Sequence, residues 1–252
     1  MSAHYDSYDY PSYWVGREYE HGCEIIAVKA FLQKIPKIKT ILEIGAGFGR
    51  LTSSYIYRGK KIILSDPSSK LLAIARHSFP GKNVRIIHSG LETLPQKLRN
   101  ATADLVILIR VLHHIKDIDY AFKIINKLLI NNGYFILEFP NKKHFKATFF
   151  ELIRGNFIFP MELDTLDKRS AKNVKRNTIA FLNFHPDVVI EKLKENGFTI
   201  IEKRSVSNIR GSILTKIFPT NFLLSLSRLI QVPLGFINFG PSIFILAKKT
   251  NQ

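Results

Sequence analysis

The sequence predicts an α/β protein with a mostly parallel sheet of seven strands and helices on both faces. Short apolar runs alternate with helical stretches from Thr40 onward, which is the pattern of a parallel sheet covered on both sides. A glycine-rich turn at 45–49 joins the first run to the stretch that follows. The chain has 252 residues, 46% of them hydrophobic, which is enough for one substantial core.

The first five strands are expected at 40–44, 60–65, 84–88, 104–109 and 134–139. The fourth, DLVILI, is apolar almost throughout, as a central strand with both faces covered should be. Helices are expected between them at 49–57, 68–77 and 117–130. Asn132-Gly133 indicates a turn just before the fifth strand.

The alternation stops after the fifth strand. Residues 140–184 are basic and irregular and too long for an ordinary connection, so they are predicted to form a lid. A helix is expected from His185 to Glu195, closed by Gly197, and the last two strands at 198–206 and 242–248. Between those strands, 207–240 is a second, apolar insertion. We therefore expect an N-terminal aromatic segment and helix, 1–38, and one domain, 39–252, with lid insertions at 140–184 and 207–240.

The charge of the chain is strongly positive. There are 37 lysines and arginines against 20 acidic residues, a net charge of +17. Such an excess favours nucleic acid or an anionic membrane surface as a partner. It also fits a compositional bias, because the lysines are spread over many helices. Both interpretations stay open.

Other features of composition concern the compartment. Cys23 is the only cysteine, which excludes an internal disulfide and fits a reducing cytoplasm. Residues 1–10 are polar and tyrosine-rich, so no secretory signal is expected there. No apolar run approaches the length that crosses a bilayer.

The glycine-rich turn carries the strongest chemical signal. Gly45, Gly47 and Gly49 let a ligand approach the backbone where the first strand meets the first predicted helix, whose N-terminus would offer free N–H donors. Their G-x-G-x-G spacing is not the G-x-G-x-x-G that positions a dinucleotide pyrophosphate, which disfavours a nicotinamide oxidoreductase. Glu43, two positions earlier, suits a ligand with a cationic amino-acid end.

Asp66 ends the second predicted strand, about 20 residues beyond the glycines. A carboxylate at that place can accept hydrogen bonds from both hydroxyls of an adenosine ribose. Asp66 or Ser68 can also cap the helix that follows, and the two roles are compatible.

These residues resemble the class I S-adenosylmethionine-dependent methyltransferases over roughly 41–139. The resemblance rests on Glu43-x-Gly45-x-Gly47, on Asp66, and on the segments 104–115 and 132–139. The leader, with Tyr8-Asp9-Tyr10-Pro11 and Arg17-Glu18-Tyr19-Glu20, looks like that of a methyltransferase-11-like branch.

The resemblance implies a Rossmann-like fold with strand order 3-2-1-4-5-7-6 and an antiparallel last strand, and S-adenosylmethionine as cofactor. It places the glycine loop, with Ala46, on the methionine moiety and Asp66, beside Pro67, on the ribose. The backbone around Ile109 and Arg110 would meet the methionine amino group.

The sequence departs from the family after the third strand. Many members carry an acid there that binds the adenine amino group, whereas this chain has Gly90. The adenine contact is then expected from backbone near Leu91 or from Glu92.

His113 and His114 follow the central strand at its carboxyl end, where ligands collect in open α/β sheets. Either could act as the base that removes a proton from the methyl acceptor. The alternative is that one packs in the core and the other is exposed. A metal site is not predicted, because neighbouring side chains diverge and no third ligand is evident.

The aromatic leader, including Tyr5, Tyr8, Tyr10, Tyr13 and Trp14, is expected to cap the cofactor, with Arg17 as a candidate for its carboxylate. For the apolar stretch 218–230, three roles stay open: core packing, lining of an apolar substrate pocket, and membrane-surface contact. We expect the two insertions and the leader to roof the acceptor site with Phe149, Phe150, Phe157, Phe159, Phe218 and Phe222.

The function expected is methyl transfer from S-adenosylmethionine to a small-molecule or lipid-like acceptor. The alternative of an RNA methyltransferase would explain the net charge of +17, but the sequence shows no appended RNA-binding module. A cofactor-binding module without turnover is the third possibility.

Overall fold

The computed structural model describes residue 6 and residues 9–176, 178–209 and 214–250. Its centre is a seven-stranded sheet in the order β3-β2-β1-β4-β5-β9-β8. The strands are β1 (Thr40–Ile44), β2 (Lys61–Asp66), β3 (Val84–His88), β4 (Ala103–Leu108), β5 (Leu129–Pro140), β8 (Phe198–Val206) and β9 (Ser242–Lys249). The first five pair in parallel, and β9 runs antiparallel to both its neighbours. The predicted order and the antiparallel last strand are confirmed.

Two apolar cores cover the two faces of the sheet. Successive residues of β4 point to opposite faces, so Val106 and Leu108 join one core and Leu105 and Ile107 the other. The first core includes α3 (Ile118–Leu128) and α6 (Pro186–Glu195), and the second includes α1 (Glu18–Gln33). This is the doubly covered arrangement that the apolar fourth strand predicts.

Helix starts follow the capping signals in the sequence. Ser68 caps α2 (Ser69–Ser78) by accepting a hydrogen bond from the Leu71 amide, and Asp117 caps α3 in the same way. His185 caps α6, where Pro186 occupies the first helical position. After α6, Gly197 takes a φ of 76°, which glycine adopts without strain.

The helix predicted at 49–57 is wrong. The segment forms two short 3₁₀ turns, Thr52–Ser54 and Ile56–Arg58. Serine and threonine side chains compete there with the helical backbone: the Ser54 hydroxyl donates to the Leu51 carbonyl at 2.6 Å, and the Thr52 hydroxyl donates to Glu43.

The turn predicted at Asn132-Gly133 lies inside β5 and not before it. Pairing with β4 jumps from Ala103–Leu129 to Leu105–Tyr134, so the residues between form an irregularity in the strand. Asn132 has a φ of 59°, a left-handed conformation that asparagine tolerates better than most residues.

Both insertions are more regular than expected. The first holds α4 (Phe145–Ile153), α5 (Ala171–Lys175) and a small antiparallel pair, β6 (Leu166–Asp167) with β7 (Leu182–Asn183). The second holds α7 (Leu214–Ile217) and α8 (Thr220–Phe236), and α8 packs on β8 and α1. Within the part of the chain that the structure describes, none of the helices is both long and apolar enough to span a bilayer.

Candidate active site

A cavity of about 340 Å³ opens at the carboxyl edge of β1, β2 and β4. Parallel strands bring their carboxyl ends and the following loops to one edge, which is where open α/β sheets bind ligands. The cavity brings together most of the predicted site residues: Glu43, Gly45, Ala46, Gly47, Asp66, Pro67, Leu91, Glu92, Ile109, Arg110 and His114. Arg17 and His113 are not among its lining residues.

The glycine loop is folded back onto the end of β2. The amides of Gly45 and Ala46 both donate to the Ser65 carbonyl, at 2.8 and 3.0 Å. Gly45 and Gly47 have φ values of 75° and 55°, and a Cβ on Gly45 would lie 2.1 Å from Cγ2 of Val111. The loop therefore needs glycine at 45 for space and at both positions for backbone conformation.

Asp66 is buried at the end of β2 with its carboxylate facing the loop. One oxygen accepts a hydrogen bond from the Gly47 amide at 2.8 Å and the other from the Ser68 amide at 2.7 Å. Burial raises the pKa of Asp66 above its ordinary value, against the lowering effect of these two amides. Because a carboxylate oxygen accepts more than one hydrogen bond, each retains capacity for a ligand hydroxyl.

Glu43 is a second buried carboxylate on the cavity wall. Its Oε2 accepts hydrogen bonds from the Tyr55 hydroxyl and, at 3.1 Å, from the Thr52 hydroxyl. Burial raises the pKa of Glu43 to about 7, although those two hydrogen bonds and Arg50 act in the opposite direction. A cationic group in the cavity would stabilise the ionised form of Glu43.

Two arginines on the cavity wall share one buried carboxylate, Glu24 of α1. Arg110 reaches one oxygen of Glu24 with Nε at 2.8 Å and Nη2 at 2.7 Å, and Arg50 reaches the other at 2.5 Å. Burial acts to raise the pKa of Glu24, but the two guanidinium groups outweigh it and hold the pKa below its usual value. Two positive charges on one negative charge leave this end of the cavity suited to an anionic ligand group.

The backbone presents Arg110 in an uncommon conformation. Its φ is 59°, and its amide donates to the buried carboxylate of Glu138 at 2.8 Å.

Arg50 and Glu24 were not predicted as site residues. Two signals in the sequence could have found them: Arg50 directly follows the glycine motif, and Glu24 is a charge among the buried positions of α1.

The aromatic leader reaches the cavity through Tyr10. Tyr10 lines the wall and packs edge-on against Phe48 of the glycine loop. Trp14 lies against the guanidinium groups of Arg50 and Arg110, at 3.5 and 4.7 Å from its ring centre. Tyr5 and Tyr8 lie outside the described residues.

Arg17 lies away from the cavity wall. Its guanidinium stacks on the Tyr13 ring at 4.1 Å and pairs with Glu20 at 3.7 Å. The arginines that do line the wall are Arg50 and Arg110.

The two histidines after β4 have different surroundings. His114 lines the cavity, and its Nδ1 is 2.7 Å from the Ala180 carbonyl. His113 is buried against His114 and Phe181, and burial, followed by His114 and Arg110, holds its pKa well below the ordinary value. The surroundings of His113 are those of a packed neutral ring.

The adenine side of the predicted site is formed by Gly90, Leu91 and Glu92, which all line the cavity. Leu91 is buried and Glu92 is exposed in the first turn of the 3₁₀ helix Leu91–Gln96. The geometry brings both candidates for the adenine contact to the same wall.

The predicted phenylalanine roof is wrong. None of the six residues lines the cavity: Phe149, Phe150 and Phe157 are exposed, Phe159 packs near Lys142, and Phe218 stacks on Phe222. The first insertion does reach the wall, through Ile179. The second insertion turns away because α8 packs on α1 and β8, the far edge of the sheet.

A second cavity, of about 450 Å³, adjoins the first and shares with it Leu91, Glu92, His114, Ile115 and Ile179. Its remaining wall comes from Lys116, Asp117, Tyr120, Ala121, Thr178 and Ala180. Among the described residues, no group of three histidine, cysteine or acidic side chains is arranged to hold a metal ion.

Comparison with known proteins agrees with this geometry. A model of the methyltransferase domain family matches residues 42–137. A ubiquinone biosynthesis O-methyltransferase of Pelagibacter ubique is 24% identical over 164 residues, which cover 64% of this chain and 66% of that protein, slightly under two thirds of its length.

Solved structures share the fold. A 1,6-didemethyltoxoflavin-N1-methyltransferase of Burkholderia thailandensis, with S-adenosylhomocysteine bound, superposes with a TM-score of 0.61 at 17% identity and covers 98% of this chain and 87% of its own. An S-adenosylmethionine-dependent methyltransferase of Mesorhizobium loti gives 0.58 at 15% identity, covering 88% and 96%. The family match covers residues 42–137, and the sheet order and the cavity at the carboxyl edge agree with the Rossmann-like fold of class I S-adenosylmethionine-dependent methyltransferases.

Proposed function

We propose that this protein is an S-adenosylmethionine-dependent methyltransferase that transfers the methyl group to a hydroxyl of a small, apolar or lipid-like acceptor. S-adenosylmethionine supplies a methyl group that is already activated by its bond to a sulfonium. The protein then has to hold the cofactor, align the acceptor and take up the acceptor's proton.

The residues of the cavity fit the cofactor part by part. Asp66 is suited to accept the ribose hydroxyls, with Pro67 beside it, and Leu91 and Glu92 line the side proposed for adenine. Glu43 and the backbone around Ile109 suit the cationic amino group. The carboxylate of the cofactor fits Arg50 and Arg110, since the ion pairs of both guanidinium groups are with the single carboxylate of Glu24.

His114 is proposed as the base. A carbonyl oxygen can only accept, so in the neutral ring the proton lies on Nδ1, which donates to the Ala180 carbonyl. Nε2 is then the basic nitrogen of a ring held in place by the first insertion. A base is needed only where the nucleophile arrives protonated, which favours a hydroxyl over a free amine as acceptor.

The main support for this class of acceptor is the apolar lining of the cavity. Apolar side chains dominate it, among them Ile44, Phe48, Leu71, Val111 and Ile179. Among the residues that the structure describes, no lysine lines this cavity, and its arginines, Arg50 and Arg110, both pair with Glu24. An apolar wall with a few polar groups is typical of a small-molecule site, whereas an RNA site needs a basic groove.

The relatives support the same class. One is named for O-methylation in ubiquinone biosynthesis, and another, named as an N1-methyltransferase, was solved with 1,6-didemethyltoxoflavin bound, so both support a small-molecule acceptor and the first supports a hydroxyl. The net charge of +17 is the observation that favours RNA instead, and the experiment below separates the two.

The test is to incubate the protein with methyl-labelled S-adenosylmethionine and a cell extract, and then to partition the label. The Asp66→Ala variant is the matched control for enzyme-independent labelling. We expect label in the solvent-extracted small-molecule fraction with the wild type only. Label in RNA would contradict the proposal, and cofactor binding with no labelled product in any fraction would indicate a binding module without turnover.

A further inference from the structure

The helix α8 has its faces reversed relative to an ordinary surface helix. The residues that face the protein are mostly small or polar: Leu223, Ser227, Gln231 and Gly235. The exposed stripe, at intervals of three or four residues, is apolar: Phe222, Leu226, Leu229, Pro233 and Phe236. Leu229 and Phe236 are 74% and 78% exposed, where a surface helix normally carries polar side chains.

Polar contacts fix this orientation. The Gln231 side-chain amide donates to the Cys23 carbonyl at 2.9 Å, and its oxygen accepts from Arg204 at 3.3 Å. Gly235 packs so closely on β8 that a Cβ there would lie 2.6 Å from the Lys203 carbonyl oxygen. The helix therefore cannot rotate its apolar stripe inward without breaking buried hydrogen bonds and meeting the backbone of β8.

The helix α4 continues the same surface. It has no buried residue, and Phe145 stacks on Phe239, just beyond α8, with ring centres 5.0 Å apart. The Phe145 amide also donates to the Phe239 carbonyl at 2.8 Å. We call ten of the exposed apolar residues on and next to α4 and α8 the apolar platform: Phe145, Phe149, Phe150, Ile153, Phe157, Phe222, Leu226, Leu229, Phe236 and Ile237.

The charges around the platform are mainly positive. No acidic residue follows Glu202 in the sequence, and the only charged residue of α8 is the exposed Arg228. On α4, Lys146 is exposed, while Glu151 pairs with Arg154 at 3.0 Å. An apolar surface flanked by basic side chains complements an anionic lipid bilayer, whereas a second copy carrying +17 would be repelled.

We propose that the apolar platform docks the protein on the surface of an anionic lipid bilayer. The apolar side chains would enter the headgroup boundary while Lys146 and Arg228 meet lipid phosphates. This surface is separate from the cavity, and the proposal does not depend on which acceptor is methylated.

The test is co-sedimentation of the full chain with vesicles of phosphatidylcholine alone or of equal parts phosphatidylcholine and phosphatidylglycerol. We expect strong binding to the anionic vesicles, at least tenfold weaker binding to the neutral ones, and weakening by salt. The double variant Leu229→Glu/Phe236→Glu should lose at least tenfold in binding. Tyr57→Glu, an exposed aromatic on the turn between β1 and β2, is the matched control and should bind as the wild type does.

Calorimetry with S-adenosylmethionine shows whether the double variant is folded, since both residues are exposed and neither lines the cavity. If that variant does not fold, Arg228→Glu serves instead and should weaken binding to the anionic vesicles only. Failure of the wild type to bind, or equal binding by the wild type and the platform variant, would overturn the proposal. A dimer in solution that the double variant dissociates would also overturn it, because the platform would then pair two copies.

Discussion

Glu24 determines where both cavity arginines lie, although it does not line the cavity itself. Its two oxygens each hold one guanidinium, and Trp14 packs against both arginines. Such bidentate, charge-assisted contacts fix side chains that would otherwise sample many rotamers. Arg50 and Arg110 are thus arranged before a ligand arrives, which reduces the entropy lost on binding.

Replacement of Asp66 by alanine should weaken S-adenosylmethionine binding more than tenfold. Two hydrogen bonds to a charged acceptor are worth roughly 1.5–3 kcal/mol each, and about 1.4 kcal/mol corresponds to a factor of ten. Titration calorimetry measures the affinity, and a thermal melt checks the fold. Unchanged affinity in a folded variant would show that Asp66 does not hold the ribose.

Cofactor affinity should depend on pH through Glu43. Its pKa is about 7 in the free protein, and a bound ammonium group favours the ionised form, so binding should tighten as pH rises through 7. If the bound form is fully ionised, affinity should rise roughly eightfold between pH 6 and 7.5, where an α-amino group stays mostly protonated. Calorimetry over that range measures it, with Glu43→Gln as the control that should flatten the profile.

The same shift has a consequence for stability. The pKa of Glu43 is raised on folding from an ordinary value of 4.5, so its contribution is complete below that value and is lost as pH rises through about 7. Relative to Glu43→Gln, the free wild type should therefore lose folding stability as the pH rises from 4.5 to about 7.

For the affinity measurement, a profile for the wild type as flat as that of Glu43→Gln would contradict the assignment of Glu43 to the amino group.

His114→Ala should lower kcat by about 10²–10⁴ while leaving cofactor affinity nearly unchanged, since general bases contribute about that much. His113→Ala is the matched control, because His113 is buried and does not line the cavity. It should affect stability more than the pH profile of kcat. Equal effects of the two substitutions on kcat and its pH profile would exclude His114 as the base.

At the scale of elements, the glycine loop connects the sheet to the cavity. Gly47→Val should abolish detectable cofactor binding, because valine resists a φ of 55° and adds side-chain bulk where the loop lines the cavity. Gly155→Ala is the control: its φ is 85°, but no atom lies within 4 Å of the added Cβ. Calorimetry should show normal binding for the control, and normal binding for Gly47→Val would move the cofactor out of this cavity.

The elements that could be predicted from the sequence were those with a strong local signal. The apolar alternation predicts the strands, and of the two cap candidates named for the second helix, Ser68 is the residue that caps it. The helix at 49–57 failed because Thr52 and Tyr55 are recruited by the buried Glu43, a contact that no local pattern reveals. The phenylalanine roof failed because apolar residues were assumed to face the site, whereas α8 turns its polar face inward.

The candidate site was predictable where it follows the carboxyl ends of strands, as Asp66 and Arg110 do. Arg50 was missed because its position depends on Glu24, a partner 26 residues away on another element. The different surroundings of His114 and His113 likewise depend on Ala180 and Phe181, which the first insertion brings to the end of β4. Such long-range contacts follow from tertiary packing and not from sequence spacing.

At the scale of the whole molecule, the sheet divides the functions between two regions. The carboxyl edge of β1, β2 and β4 carries the cavity, while α8 covers β8 at the outer edge and exposes the apolar platform. Of the three roles considered for the apolar stretch 218–230, lining the cavity is excluded by this placement. Core packing holds for the inner face of α8, which packs on β8 and α1 through residues such as Leu223, and the outward face is the one proposed for membrane-surface contact.

The central claim is that the cavity at the glycine loop is an S-adenosylmethionine site, and titration calorimetry tests it most directly. Purified protein should be titrated separately with S-adenosylmethionine, S-adenosylhomocysteine and NAD at pH 7.5. We predict one site per chain for the first two ligands, weakened more than tenfold by Asp66→Ala, and no heat of binding for NAD. Binding of NAD without binding of S-adenosylmethionine would contradict the account.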